Sequence, residues 1–146
     1  MNLDTLFSLS TLLVLPVWLL LMFAPNWSWT TKVAQHIWIP ALLALLYVYL
    51  SVTKSPRPEG ADLSSLEGLL LIYTRPDAAL ISWLHFLTLD LFVGAWIVRD
   101  SISQKIHPVL VAPCLFLTSG FGPAGLLLYF LIRLVLRKKT AFSFDD

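Results

Sequence analysis

The feature that most constrains this chain is an apolar run at residues 81–101, ISWLHFLTLDLFVGAWIVRDS, which is long enough to cross a bilayer. An acid, Asp90, lies near its middle. A carboxyl group at the centre of a spanning helix costs about 2.5–3.5 kcal/mol on insertion scales, so it normally faces protein or water. Asp90 is therefore a candidate functional residue, and the alternative is a structural hydrogen bond between helices.

Composition places the chain among polytopic membrane proteins, because 58% of its 146 residues are hydrophobic and only 13% are charged. The formal net charge is +1, and no basic run is longer than residues 137–139, which argues against nucleic-acid binding. A single cysteine, Cys114, excludes an intramolecular disulfide. No His, Asp or Glu spacing matches a known metal motif, so no metal site is predicted.

Four apolar segments predict an all-α integral membrane protein with four transmembrane helices in a single domain over residues 1–146. The predicted spans cover about 6–23, 33–52, 80–98 and 109–132. Asp4 is the only charged residue before the first span, so the basic segment of a signal peptide is missing, and no small-residue cleavage site follows the span. The first span is therefore expected to be retained, and the chain to be complete as a bacterial or a trimmed organellar protein.

A short helix is predicted between the second and third spans, over about 64–74. Ser64 and Glu67 have the spacing of a capping box, and apolar residues follow at helical intervals. About ten apolar residues are too few to cross, so this helix is expected to lie in the membrane interface.

The fourth span is predicted to be kinked or broken between Gly120 and Gly125. Three glycines and Pro123 fall within these six residues and disfavour a straight helix. Broken helices are tolerated at this depth where they line a cavity or pack on a neighbour. The break and Asp90 are expected at similar depth.

Charge asymmetry predicts that both termini are cytoplasmic, since four crossings return the chain to the side on which it began. The terminal side would hold Lys54, Arg57, Arg75, Arg133, Arg137, Lys138 and Lys139, and the other side Lys32, Arg99 and Lys105. Arg133 is deep enough to snorkel or to pair instead.

The third span has two stripes at helical spacing, one with His85 and Trp96 and one with Trp83, Asp90 and Gly94. The five-residue offset separates His85 from Asp90 by about 140°, so the two side chains are not a direct pair on an ideal helix. The partner of Asp90 must come from another segment.

Four residues on the fourth span are candidate neighbours of the third. Thr118 and Ser119, with the amides of the break, are expected at the level of Asp90, and Tyr129 and Arg133 nearer the level of His85. Gly94 would allow close approach of a helix or a flat ligand. Arg99 and Asp100 are expected to form an interfacial charge pair.

Five segments resemble a known family. They are LFSLSTLLVLPVWLLLMFAPNW (6–27), SLEG (65–68), WLHFLTLDLFVGAWIVRDS (83–101), IHP (106–108) and LTSGFGPAGLLLYFLIR (117–133). The chain resembles the abscisic-acid-deficient-four-like family, small membrane proteins associated with neoxanthin synthesis in plants, and looks like a bacterial-type member. One departure is Ala95, where the family commonly has Arg.

The resemblance implies a carotenoid connection. In the plant pathway violaxanthin becomes neoxanthin, an isomerisation that needs an acid at the epoxide oxygen, a base at the departing proton and no redox cofactor. On this basis Asp90 is the expected acid and His85 the expected base. The expected ligand-binding residues are Trp83, Gly94, Trp96, Arg99, Asp100, Thr118, Gly122, Tyr129 and Arg133.

A second hypothesis is a non-catalytic subunit that binds pigment or assists assembly of a larger membrane complex, for example a photosynthetic one. The expected partners are the lipid bilayer, a carotenoid or xanthophyll, and either a membrane-protein complex or further copies of the chain. The expected membrane is the bacterial plasma membrane or the thylakoid. A proton-coupled transporter is a third, weaker hypothesis, because four short spans with one buried acid leave little room for alternating access.

Overall fold

The computed structural model describes residues 2–30, 32, 36, 38–54 and 58–137. Within these residues it contains five helices and no strand, which confirms the all-α prediction for this part of the chain. The helices are α1 (Leu3–Phe23), α2 (Trp38–Thr53), α3 (Leu66–Tyr73), α4 (Pro76–Ser103) and α5 (Pro108–Arg137).

Three helices, not four, are long and apolar enough to cross a membrane in the described part of the chain. These are α1, α4 and α5, each with at least 21 residues. Helix α2 has 16 residues and rises about 24 Å, less than the ~30 Å of a hydrocarbon core. Residues 33–35 and 37, within the predicted second span, lie outside the described residues.

The chain forms two compact units, and α1 and α4 contribute to both. The first unit includes residues 1–16 and 37–89, and the second includes 17–36 and 90–146. His85 therefore belongs to the first unit, and Asp90 begins the α4 segment of the second.

In the first unit, α1 and α4 are joined by an indole. Trp83 Nε1 donates a hydrogen bond to Thr11 Oγ1 at 3.1 Å, and the Trp83 ring lies 5.3 Å from that of Phe7 between centroids. Leu80 and Leu84, on the same helix, are buried. Trp83 thus holds α4 against α1 in the first unit.

The predicted short helix is present as α3, but its cap differs from the prediction. Ser65, not Ser64, is the N-cap, and its hydroxyl accepts a hydrogen bond from the Gly68 amide at 3.0 Å. The capping-box prediction was wrong because Asp62 Oδ1 accepts hydrogen bonds from the Ser64 and Ser65 amides, at 2.7 and 2.8 Å. These two bonds place Ser64 in the turn that precedes the helix.

The predicted kink in the last helix is confirmed at Phe121, whose φ of −136° and ψ of 49° are not helical. An ideal Cβ on Gly125 would overlap Thr118 Oγ1 and N and the Cys114 carbonyl oxygen. Gly125 follows Thr118 by seven positions and Cys114 by eleven. In a straight helix these separations would be about 10 and 16 Å along the axis. The helix therefore turns back on itself, with two limbs that meet at Thr118 and Gly125.

Candidate functional site

Asp90 lies against the backbone of α5 at the break. An ideal Cβ on Gly122 would overlap Asp90 Oδ1 and would lie 3.0 Å from Asp90 Cγ and 3.3 Å from Oδ2. The carboxyl group thus takes the place that a side chain at position 122 would occupy. Gly122 is buried and Asp90 is half-buried, so the acid is held at the edge of the packed second unit.

The non-helical backbone at Phe121 is what brings Gly122 to this place. Phe121 itself is exposed, and Pro123 follows directly after Gly122. A proline lacks the amide that a regular helix would use and its ring disfavours a continuous helix, so the break falls here for a local reason. The structure thereby places the Asp90 carboxyl group at the predicted break in α5.

Gly94, one turn after Asp90 on α4, is covered by an indole from α1. An ideal Cβ on Gly94 would lie 2.6 Å from both Cη2 and Cζ3 of Trp18. Both Gly94 and Trp18 are buried. The close approach predicted at Gly94 is therefore made by the chain's own side chain, which positions α1 against α4 within the second unit.

A buried ion pair joins the last turns of α4 to the second limb of α5. Arg133 Nε lies 3.0 Å from Asp100 Oδ2, and the two side chains are only 3% and 9% exposed. Tyr129 OH donates a short hydrogen bond of 2.5 Å to the same oxygen of Asp100. One carboxylate oxygen therefore has an ion-pair partner and a hydrogen-bond donor from successive turns of α5.

This arrangement corrects the predicted charge pair between Arg99 and Asp100. Arg99 is exposed, and the cation at Asp100 is Arg133. Neighbouring positions on a helix point about 100° apart, so they rarely face one another. It also places Tyr129 and Arg133 with the end of α4 rather than near the level of His85, because α5 folds back.

Trp96 completes the cluster around Tyr129. Its ring is edge-on to Tyr129 at 5.7 Å and 90°, and to Phe130 at 5.9 Å and 72°. Tyr129 is fully buried. Edge-to-face pairs of this kind contribute about 0.5–1.5 kcal/mol beyond the area that they bury.

Sequence reasoning missed this cluster, although a signal for it was present. Trp96 and Asp100 are four residues apart on α4, and Tyr129 and Arg133 are four residues apart on α5. Each pair therefore shares one face of its helix. Two such faces with an acid on one and a base on the other predict a contact, once α5 is allowed to fold back.

Thr118 is buried at the junction of the two α5 limbs. Its hydroxyl donates to the Cys114 carbonyl oxygen at 2.8 Å, and its backbone packs against Gly125. The hydroxyl proton of Thr118 is therefore donated within the helix. Thr118 thus contributes to the fold-back.

His85 lies beside two aromatic rings in the first unit. Its imidazole lies 5.9 Å from Tyr47 and 5.9 Å from Phe86, measured between ring centroids. The residue is exposed on the surface of α4.

Across the residues that the structure describes, no group of three or more His, Cys, Asp or Glu side chains could hold a metal ion.

Comparison with known proteins assigns the sequence to a family. The family described as ABA DEFICIENT 4-like matches residues 5–129 of this chain. In Arabidopsis thaliana, the protein named Protein ABA DEFICIENT 4, chloroplastic, is 25% identical over 144 residues. That match covers 93% of this chain and 64% of the relative, so the chain spans less than two thirds of the relative's length. No solved structure matches.

Proposed function

This chain belongs to the ABA DEFICIENT 4-like family, and on that premise we propose that it binds a carotenoid in the membrane and acts on it. The family link to neoxanthin synthesis supports the carotenoid, and the apolar helices α1, α4 and α5 support contact with lipid. The membrane of residence proposed for it is the bacterial plasma membrane or the thylakoid.

The observation that carries the proposal is the placement of Asp90. Its carboxyl group lies over Gly122 at the break of α5 and is half-buried. A carboxyl in an apolar site is suited to donate a proton or a hydrogen bond to an oxygen atom on a substrate. A polar group held so deep in an apolar span is rarely retained without a purpose.

The reaction proposed is the isomerisation of a carotenoid epoxide. Asp90 donates a proton to the epoxide oxygen as one carbon–oxygen bond breaks, and a base removes a proton from the polyene to form the allene. One proton enters and one leaves, so the product is an isomer and no redox cofactor is consumed. His85, exposed beside Tyr47 and Phe86, is the base proposed for this step.

The experiment that tests the acid is Asp90→Asn in a bacterial host that makes violaxanthin. We expect product formation to fall at least about 100-fold, the scale of lost general acid catalysis, while the protein remains folded by size-exclusion chromatography. Asp4→Asn is the matched control, because Asp4 is an exposed acid in the first turn of α1. Unchanged product with Asp90→Asn would refute the role of this acid.

The geometry of the site is tested by two glycines in the same break. Gly122→Ala places a methyl group where the Asp90 carboxyl lies, whereas a Cβ on Gly120 has nothing within 4 Å. We expect Gly122→Ala to displace the carboxyl and lower product formation, and Gly120→Ala to leave it unchanged. Equal activity of both variants would contradict the placement of Asp90.

A second function, pigment binding or assembly without catalysis, is favoured by Ala95. The side chain at this position is only 9% exposed, and it stands where the resembling family commonly has Arg. If that cation is needed for turnover, this chain would keep the pigment and lose the reaction. Co-migration with a large complex on a native gel supports this reading, and a free small particle with product formation contradicts it.

A further inference from the structure

A cavity of about 290 Å³ lies in the second unit, where α1 ends and α4 passes into α5. Its apolar wall includes Leu21, Val111 and Leu115, all of which are buried. Its polar lining includes Asn26, Lys105 and His107. The volume is at the lower limit of small-molecule sites, so it suits part of a larger ligand.

Lys105 is held at this cavity in a backbone conformation that favours glycine. Its φ is 53°, the Lys105 amide donates to the Ile102 carbonyl at 3.0 Å, and the Ile106 amide donates to the Ser101 carbonyl at 2.9 Å. These two bonds form a Schellman motif at the end of α4, whose left-handed position is usually Gly. The chain thus has a lysine where glycine would be the more stable residue.

His107 supplies a second nitrogen base. Its Nδ1 accepts the Val109 amide at 3.4 Å at the start of α5, which leaves the Nε2 proton as a donor. Both Lys105 and His107 are exposed, and the described residues that line the cavity include no Asp or Glu. The lining of the cavity therefore offers an ammonium group and an imidazole N–H, both of which suit an anion.

We propose that this cavity binds the phosphate group of an anionic phospholipid, with Lys105 and His107 contacting the phosphate. The apolar wall contacts the part of an acyl chain that lies nearest the glycerol. The polar turn between α4 and α5 follows an apolar helix long enough to cross, which is where a membrane interface lies. A soluble anion would not use the wall of leucine and valine. This site is separate from Asp90 and does not depend on a carotenoid reaction.

The test uses the purified full chain in a neutral detergent, with phosphatidylglycerol, phosphatidylcholine or inorganic phosphate added. We expect one tightly retained phosphatidylglycerol by native mass spectrometry and a rise in Tm that phosphatidylcholine does not produce. An equal rise with phosphatidylcholine would overturn the charge recognition. An equal rise with inorganic phosphate at the same concentration would assign the site to a free anion and overturn the lipid proposal.

The decisive variant is Lys105→Gly, because it removes the cation while relieving the left-handed backbone. We expect its Tm without lipid to be equal or higher and its affinity for phosphatidylglycerol to fall about tenfold. Lys105→Arg should retain the affinity. Lys54→Gly, at an exposed lysine after α2, is the matched control and should also retain it. Unchanged affinity in Lys105→Gly would refute the proposal.

Discussion

The buried pair of Asp100 and Arg133 makes the sharpest prediction about stability. Replacing Arg133 with Met removes the cation and leaves the Asp100 carboxylate with Tyr129 alone among the hydrogen-bond donors described above. We expect this single variant to lower the free energy of unfolding by about 3–5 kcal/mol, the usual cost of leaving a buried charge without its counterion.

The magnitude follows from the geometry of the pair. Two unit charges 3.0 Å apart attract by about 5.5 kcal/mol at an effective dielectric constant of about 20. Side chains that are 3% and 9% exposed have lost most of their hydration, which offsets much of this attraction in the intact pair. The single variant keeps the desolvation cost of Asp100 and loses the attraction.

The double variant Asp100→Asn with Arg133→Met separates the two contributions. The Asn side chain is neutral and still offers an oxygen to Tyr129, so we expect the double variant to recover most of the loss and remain within about 1 kcal/mol of the starting chain. Unfolding in mixed micelles with increasing denaturing detergent, followed by tryptophan fluorescence, measures the two single variants, Arg133→Met and Asp100→Asn, and the double variant.

Arg99→Met is the control, because Arg99 is adjacent to Asp100 in sequence but exposed. We expect a change within about 0.5 kcal/mol for this surface position. A loss at Arg99 as large as that at Arg133, or strictly additive effects in the double variant, would refute the pairing across helices and with it the fold-back of α5.

Three further predictions test other parts of the fold. Gly125→Ala meets the Thr118 backbone and should lower stability by about 1–3 kcal/mol in the same detergent assay, whereas Gly120→Ala, in open space, should not; equal effects would contradict the contact between the limbs. A reporter after residue 137 should lie on the same side of the membrane as one at residue 104, because the second limb returns to Asp100; opposite sides would mean that α5 crosses once. The pKa of the Asp62 carboxyl is held below its ordinary value of 3.8, first by the Ser64 hydroxyl and then by the Ser64 and Ser65 amides. The carboxylate therefore stabilises the turn before α3 above pH 3.8, and this contribution is lost as the pH falls through the lowered pKa; protection of the Gly68 amide from hydrogen exchange should follow that change, and Asp62→Asn should abolish it.

Hydrophobic runs and the Pro and Gly residues that start or break helices predicted most of the helices, because both signals act locally. The first span is found as α1 and the third as α4, which extends beyond the predicted 80–98 at both ends. Pro76 lies in the first turn of α4, where its missing amide proton costs nothing. The glycines and the proline correctly marked the break in α5.

Contacts between segments were harder to predict, since they depend on how far the chain turns at one residue. A straight α5 would place Arg133 about 37 Å along the axis from Pro108, which is too far to reach Asp100, so the matching faces of the two helices were not paired. The prediction of cytoplasmic termini used the same straight helix. Trp18 over Gly94 was also missed, because no periodicity within one helix identifies a partner on another.

The most direct test of the central proposal is the pigment content of the protein itself. The chain would be purified in mild detergent from a carotenoid-producing host, its visible spectrum recorded, and the extracted pigment separated by chromatography. We predict about one carotenoid per chain with an absorption spectrum shifted from that of the free pigment. A colourless protein, with host carotenoids unchanged by its expression, would contradict the account.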